Sequence, residues 1–93
     1  MDNRYQQSYR NGRFYVIDRK NGSIRDTTYT MHGADLRVAE LNSDPTDWEL
    51  PAERYASVSY RGRFHVVDTI TADIIGDYGT EAGAARKISK LAA

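Results

Sequence analysis

The chain carries two copies of one short strand, and this repetition constrains the fold more than any other feature. Arg13–Asp18 reads Arg-Phe-Tyr-Val-Ile-Asp, and fifty residues later Arg63–Asp68 reads Arg-Phe-His-Val-Val-Asp. When residues 1–43 are aligned without a gap on residues 51–93, 12 of the 43 positions are identical. Self-similarity at a fixed spacing indicates a repeated structural unit. The sequence therefore predicts a tandem repeat with an offset of 50 residues.

The length favours a single domain, residues 1–93, in which the repeats share one core. Each repeat alone lies near the lower limit of about 40 residues for unassisted folding. The chain has no cysteine, which excludes disulfides and thiolate metal sites. Its net charge of zero divides into +2 for repeat one (1–42), −4 for an acidic linker (43–53) and +2 for repeat two (54–93). This neutral balance argues against a dedicated nucleic-acid binder, because such proteins are usually strongly basic.

No segment of the sequence resembles a signal peptide or a membrane span. Met1 leads into polar residues, and no apolar run approaches the roughly 20 residues that a spanning helix needs. We therefore expect a soluble, cytoplasmic protein without a membrane partner.

Turn and cap residues predict the order of the elements. Asn11-Gly12 is a strong hairpin signal, and the chain around it predicts strands at about 4–10, 13–18 and 23–29. Thr30 is a predicted N-cap, and the apolar residues Ala34, Val38 and Leu41 predict a helix over 31–42. The same signals in repeat two predict strands at 55–60, 63–68 and 73–78 and a helix at 81–91. The expected fold class is α+β, a tandem βββα repeat whose antiparallel sheet carries both helices packed on one face.

Alternation along the central strands predicts two different sheet faces. Phe14 and Val16 would form the core face under the helices, leaving Arg13, Tyr15 and Ile17 on the opposite face. Repeat two would add Arg63, His65 and Val67 to that opposite face. Its mixture of arginine, aromatic and β-branched residues is typical of a recognition surface. Two other readings stay open: a half-solvated face with no partner, or two repeats that pack face to face and bury part of it.

The acidic linker contains the only tryptophan of the chain, Trp48. A large aromatic residue most often caps a core, and Trp48 with Leu50 would do so here. The alternative is an exposed aromatic anchor that binds a basic protein partner.

The titratable residues do not form a catalytic pattern. Asp18 and Asp68 recur at one position, but a single carboxylate at a strand end favours turn capping over catalysis. His32 and His65 occupy different positions in the two repeats, which argues against a paired metal site. We expect no enzyme activity, no metal and no cofactor.

The stretch Gly62–Asp68, followed by Ile74 and by Thr80-Glu81 before an alanine-rich helix, resembles small strand-strand-strand-helix units. A similar plan occurs in the arm-binding domains of tyrosine integrases and in plant-type domains that insert a three-stranded sheet into DNA. In size and type the chain also resembles the anti-defence proteins of phages and mobile elements, including anti-CRISPR proteins.

This resemblance implies a non-enzymatic protein that inhibits a host defence protein or nucleoprotein complex by occluding a binding site. An alternative is a sheet-type nucleic-acid-binding module, and a third is an assembly protein that oligomerises through sheet edges; the sequence leaves the oligomeric state open. The expected partner-binding residues are Arg10, Arg13, Tyr15, Lys20, Trp48, Arg61, Arg63 and His65.

Overall fold

The computed structural model describes residues 3–43 and 53–92. Each repeat contains three strands followed by one helix, and every element of repeat two begins fifty residues after its counterpart. The elements of repeat one are β1 (Tyr5–Arg10), β2 (Arg13–Asp18), β3 (Ser23–Thr28) and α1 (Met31–Asn42). Those of repeat two are β4 (Tyr55–Tyr60), β5 (Arg63–Asp68), β6 (Asp73–Tyr78) and α2 (Glu81–Ala92).

The strands form two separate antiparallel sheets of three strands, in the orders β1-β2-β3 and β4-β5-β6. The prediction of one sheet with both helices on the same face is therefore wrong. Strands adjacent in sequence pair within each repeat, and no strand of one repeat pairs with a strand of the other among the described residues. Each helix packs on the three strands of its own repeat.

The hairpins form where the sequence supplies residues that tolerate a positive φ. Asn11 and Gly12 adopt φ values of 53° and 78°, which matches the two-residue turn that suits twisted strands. Their turn brings Arg10 opposite Arg13, so β1 and β2 pair along their whole length. Repeat two makes the same turn at Arg61 and Gly62.

Each helix begins at a threonine cap and covers the outer face of its sheet. The Gly33 N–H donates to Thr30 Oγ1 over 3.1 Å, and the Gly83 N–H donates to Thr80 Oγ1 over the same distance. Ala34 and Val16 are both fully buried, as expected where α1 lies on β2. No helix within residues 3–43 and 53–92 is long and apolar enough to cross a membrane.

The inner faces of the two sheets pack against each other and form the shared core. Residues of both sheets make up one buried cluster: Ile17, Ile24, Val67, Ala72 and Ile74. Tyr15, Val58 and Tyr60 pack around it. The molecule therefore has four layers, in the order helix, sheet, sheet, helix, and the face-to-face reading left open by the sequence is the one the structure adopts.

Equivalent residues of the two repeats meet across this core. The rings of Tyr15 and His65 lie 6.5 Å apart, and Arg19 Nε donates to the Thr69 carbonyl over 2.7 Å. A residue can contact its own repeat equivalent only beside a two-fold axis. Because one such contact lies within β2 and the other directly after its last residue, the axis runs along β2 and β5, which point in the same direction. The β1-β2 and β4-β5 turns consequently lie at the same end of the molecule.

We predict that Gly22→Ala destabilises the protein more than Gly12→Ala does. Both glycines have a positive φ, so either alanine costs about 1 kcal/mol of backbone strain. A Cβ at Gly22 would also meet the Ala56 Cβ of the other sheet at 2.5 Å, whereas a Cβ at Gly12 meets nothing within 4 Å. Overpacking adds about 1–3 kcal/mol, so urea unfolding should separate the two variants by that amount. Equal free energies of unfolding would contradict the close approach of the sheets at Gly22.

Candidate functional site

The structure gathers most of the predicted binding residues at one end of the sandwich. Arg10 and Arg13 flank the β1-β2 turn, and Arg61 and Arg63 lie at the β4-β5 turn, at the same end. Lys20 lies in the β2-β3 turn at the opposite end. Trp48 and the rest of the predicted linker between 44 and 52 lie outside the described residues.

Tyr15 and His65 lie between the sheets rather than on an open face. Their rings form a cluster with Tyr60, with centroid separations of 6.3 Å from Tyr15 to Tyr60 and 6.1 Å from Tyr60 to His65. His65 is 7% exposed. The expected recognition face of a single open sheet is therefore absent, because the second sheet covers it.

The clustered arginines already have partners in the structure. Arg10 Nη1 donates to the Ile74 carbonyl over 2.8 Å and so ties β1 to β6. Arg63 Nε forms an ion pair with Asp77 over 2.6 Å. Stacking holds the remaining two: the guanidinium carbons of Arg13 and Arg61 lie 5.1 Å and 5.4 Å from the ring centroids of Tyr29 and Tyr60.

Asp18 and Asp68 hold the β2-β3 and β5-β6 turns. Asp18 accepts two hydrogen bonds from the Arg4 guanidinium, at 3.0 Å and 2.9 Å, and one from the Lys20 N–H. Asp68 accepts from Arg54 and from the Ile70 N–H in the same manner. Burial opposes the charged form of Asp68, but these donors outweigh it and leave the pKa of Asp68 below its ordinary value.

Large apolar side chains are exposed mainly on repeat one. Five large apolar residues of the described chain are more than half exposed, and four of them belong to repeat one: Tyr9, Tyr29, Met31 and Leu36. The fifth is Ile70 of repeat two. At the positions equivalent to those four, repeat two has Ser59, Gly79, Glu81 and Arg86. Repeat two forms the same elements without these apolar groups, so the fold does not require them.

Three of these residues lie at the end of the sheet where β1 turns into β2 and β3 leads into α1. The Tyr9 ring packs 4.8 Å from the ring of Phe14, its partner in the β1-β2 register. Tyr29 follows β3 and carries the Arg13 guanidinium on its ring, and Met31 begins α1. We call this end of the sheet, which carries Tyr9, Arg13, Phe14, Tyr29 and Met31, the repeat-one tip.

A second surface, on α2, differs in charge from its counterpart on α1. In repeat one, Arg37 forms ion pairs with Asp26 at 3.2 Å and with Glu40 at 3.1 Å. In repeat two the equivalents of those two acids are Gly76 and Lys90. Lys87, the equivalent of Arg37, instead lines a concavity of about 250 Å³ whose other lining residues are Tyr78, Gly83, Arg86 and Lys90. We call Arg86, Lys87 and Lys90 the α2 basic patch.

Of the residues in these two surfaces, only Arg13 is among the binding residues expected from the sequence. The other expected residues are arginines and aromatic residues of the strands and turns, Lys20 and Trp48. The sequence signal for the two surfaces is a difference between the copies, at positions such as Met31 and Glu81, where a helix residue is apolar in one repeat and charged in the other.

No protein-family model matches the chain, and comparisons with curated proteins and with solved structures give no match. The chain nevertheless offers an internal comparison, because each repeat can be set against the other.

We predict that stability falls with decreasing pH through the titration of His65. Burial lowers the pKa of His65, with Arg10 and Arg63 acting in the same direction and Asp77 opposing them. As the pH falls, His65 takes up a proton near pH 6.5 in the unfolded chain and only at a lower pH in the folded chain. The stability that neutral His65 contributes is therefore present above pH 6.5 and is lost as the pH falls through the pKa of the folded state. His65→Tyr, which installs the residue of repeat one, should reduce the loss of stability between pH 7.5 and pH 5.

Urea unfolding at the two pH values measures that loss, and the exposed His32 provides the control through His32→Ala. An unchanged pH dependence in His65→Tyr would show that His65 does not titrate differently in the folded chain.

Proposed function

We propose that this chain is a non-enzymatic binding protein that docks the repeat-one tip onto a protein partner. The observation that supports the proposal is the exposure of Tyr9, Tyr29 and Met31 on a scaffold that forms without them in repeat two. Tyrosine, methionine and arginine are the residue types enriched at protein interfaces. Tyrosine and arginine also dominate binding hot spots, and Arg13 on Tyr29 presents both together.

The charge around the tip favours an acidic partner surface. Four arginines lie at this end of the sandwich, and one of them, Arg63, is neutralised by Asp77. A partner that presents carboxylates around an apolar pocket would complement both the aromatic rings and the remaining guanidiniums.

The resemblance to anti-CRISPR proteins extends the proposal to the identity of the partner. We propose a host defence protein or nucleoprotein complex whose binding site the docked protein occludes. On this proposal the sandwich is a rigid scaffold, and the inhibition is steric rather than chemical.

The test compares capture of the partner by variants that replace the tip with the residues of repeat two. Tyr9→Ser with Met31→Glu removes two exposed apolar groups at positions where repeat two tolerates the replacements. We expect the wild-type chain to capture a partner that stays bound after nuclease treatment. The double variant should bind this partner at least tenfold more weakly. Binding to the partner purified after mass spectrometry gives that ratio. If the partner is a defence complex, the wild-type chain should also restore phage plating on cells that carry it.

Ile70→Lys is the matched control, because it replaces an exposed apolar residue with its repeat-one equivalent at the far end of the sandwich. It should bind as the wild type does. Equal binding by the tip variant and the control would reject the repeat-one tip as the interface.

The α2 basic patch supports a second candidate, direct binding of nucleic acid. Three cations of one helix surround a concavity beside Tyr78, and the acids that neutralise the corresponding cation of repeat one are absent there. Phosphates are the natural partners of such a surface. Tyr15, one of the expected partner-binding residues, lies partly buried between the two sheets, so the α2 basic patch replaces the sheet face in this candidate.

We predict that Lys87→Gln and Lys90→Gln each reduce the salt dependence of nucleic-acid binding, if such binding occurs. Removing one cation that pairs with a phosphate should lower the slope of log affinity against log salt by about 1. Arg25→Gln, an exposed cation on β3, removes the same charge away from α2 and should leave the slope unchanged. Fluorescence anisotropy with a labelled oligonucleotide measures the slopes. Equal slopes for all three variants would assign the binding to net charge rather than to the patch.

A further inference from the structure

In repeat one the end of α1 is fastened to the edge strand by a side-chain amide. Asn42, the last residue of α1, donates from Nδ2 to the Tyr5 carbonyl over 3.0 Å. Its Oδ1 accepts from the Tyr5 N–H over 3.0 Å. The carboxamide thus binds the donor and the acceptor of one backbone residue, as a neighbouring strand would.

The strand register places the same pair of backbone groups on the outer side of repeat two. In antiparallel strands, residues alternate between facing their partner strand and facing away from it. The Arg19 N–H donates to the Arg4 carbonyl over 2.7 Å, so the next residue, Tyr5, presents its backbone groups outward. The Thr69 N–H donates to the Arg54 carbonyl over the same distance, so Tyr55 does likewise.

Repeat two lacks the amide that would occupy this position. The equivalent of Asn42 is Ala92, whose methyl group cannot make either hydrogen bond. No other side chain within residues 3–43 and 53–92 takes its place on Tyr55. The space forms a concavity of about 510 Å³ lined by Glu53, Arg54, Tyr55, Ile88, Leu91 and Ala92. We call it the α2-β4 groove.

We propose that the α2-β4 groove binds a carboxamide group carried on an apolar body, with the amide on the Tyr55 backbone and the apolar part on Ile88 and Leu91. Repeat one indicates the chemistry of this ligand, because there the Asn42 side-chain amide hydrogen-bonds the backbone N–H and carbonyl of Tyr5. The volume lies within the range of about 300–1,000 Å³ that is typical of small-ligand sites. This site lies at the opposite end of the molecule from the repeat-one tip, so it stands or falls independently of the proposed function.

The charges at the groove favour a neutral ligand over an acid. Arg54 already donates to the Asp68 carboxylate at 3.1 Å, and Glu53 adds a negative charge to the lining. A carboxylate ligand has no N–H group to donate to the Tyr55 carbonyl. That carbonyl would be covered by the ligand without a hydrogen bond, which costs free energy of binding.

Two probes distinguish a small molecule from a peptide as the natural source of the amide. Benzamide presents a primary carboxamide on an apolar ring, and acetyl-Leu-Asn-N-methylamide presents it on a peptide. Their matched controls are benzoate and acetyl-Leu-Asp-N-methylamide, which have nearly the same shape but carry a carboxylate in place of the primary carboxamide. Each probe is titrated into the protein while the backbone amide chemical shifts are recorded. The amide probes should shift the signals of Tyr55 and Ala92, and each control should bind at least tenfold more weakly. The tighter of the two amide probes then indicates the source.

Ala92→Asn is the decisive variant, because it installs the internal amide that repeat one already has. We expect it to fold and to bind either amide probe at least tenfold more weakly than the wild type. Asn42→Ala is the converse variant and should add a second site, detected as new shift changes at Tyr5. The proposal is overturned if amide and carboxylate probes bind equally, or if Ala92→Asn binds the amide probes as well as the wild type does.

Discussion

Neither repeat can bury the inner face of its own sheet, and the rest of the structure depends on this constraint. The helix of each repeat covers only the outer face of its sheet. On the inner faces, Ile17 and Val67 are buried by packing against the opposite sheet. Both side chains are fully buried there, and burial of such a side chain contributes about 1.5–3 kcal/mol. The contacts that surround the core, from Arg10 to Ile74 and from Arg19 to Thr69, hold the two faces in register. The two repeats therefore share one core, although no strand pairs across them in the described chain.

The two-fold arrangement separates the residues that maintain the fold from those free to differ. Many positions that build turns, caps and core are alike in both repeats, as at Asp18 and Asp68 or Thr30 and Thr80. Three surface features differ: the repeat-one tip is apolar, the surface of α2 is basic, and the α2-β4 groove is open. Each copy thus shows what the other would look like without a given surface feature.

Local signals predicted the strands and helices, but the assembly of the sheets depends on contacts between distant residues. Asn11-Gly12 and Thr30 act on their immediate neighbours, which is why the hairpins and helix starts could be derived from the sequence. The alternation of β2 fits one open sheet of six strands as well as two packed sheets. Ile17 and Val67 lie on the face that was expected to be open. Their apolar side chains were the sequence signal that this face is buried. Arg19 offered no such signal, because an arginine in a turn is ordinarily solvated, whereas here its guanidinium spans the two repeats.

The first and last described residues of both repeats lie at one end of the sandwich. Arg19 Nη1 donates to the Asn3 carbonyl at 3.0 Å, Thr69 Oγ1 donates to the Glu53 carbonyl at 2.9 Å, and Arg19 and Thr69 are themselves hydrogen bonded. Asn42 and Ala92 return to the same end, beside β1 and β4. The chain therefore enters and leaves both repeats at the same end, and a circular permutant that begins with repeat two would keep the order of strands within each sheet. Two molecules could also exchange repeats and rebuild the same core between chains.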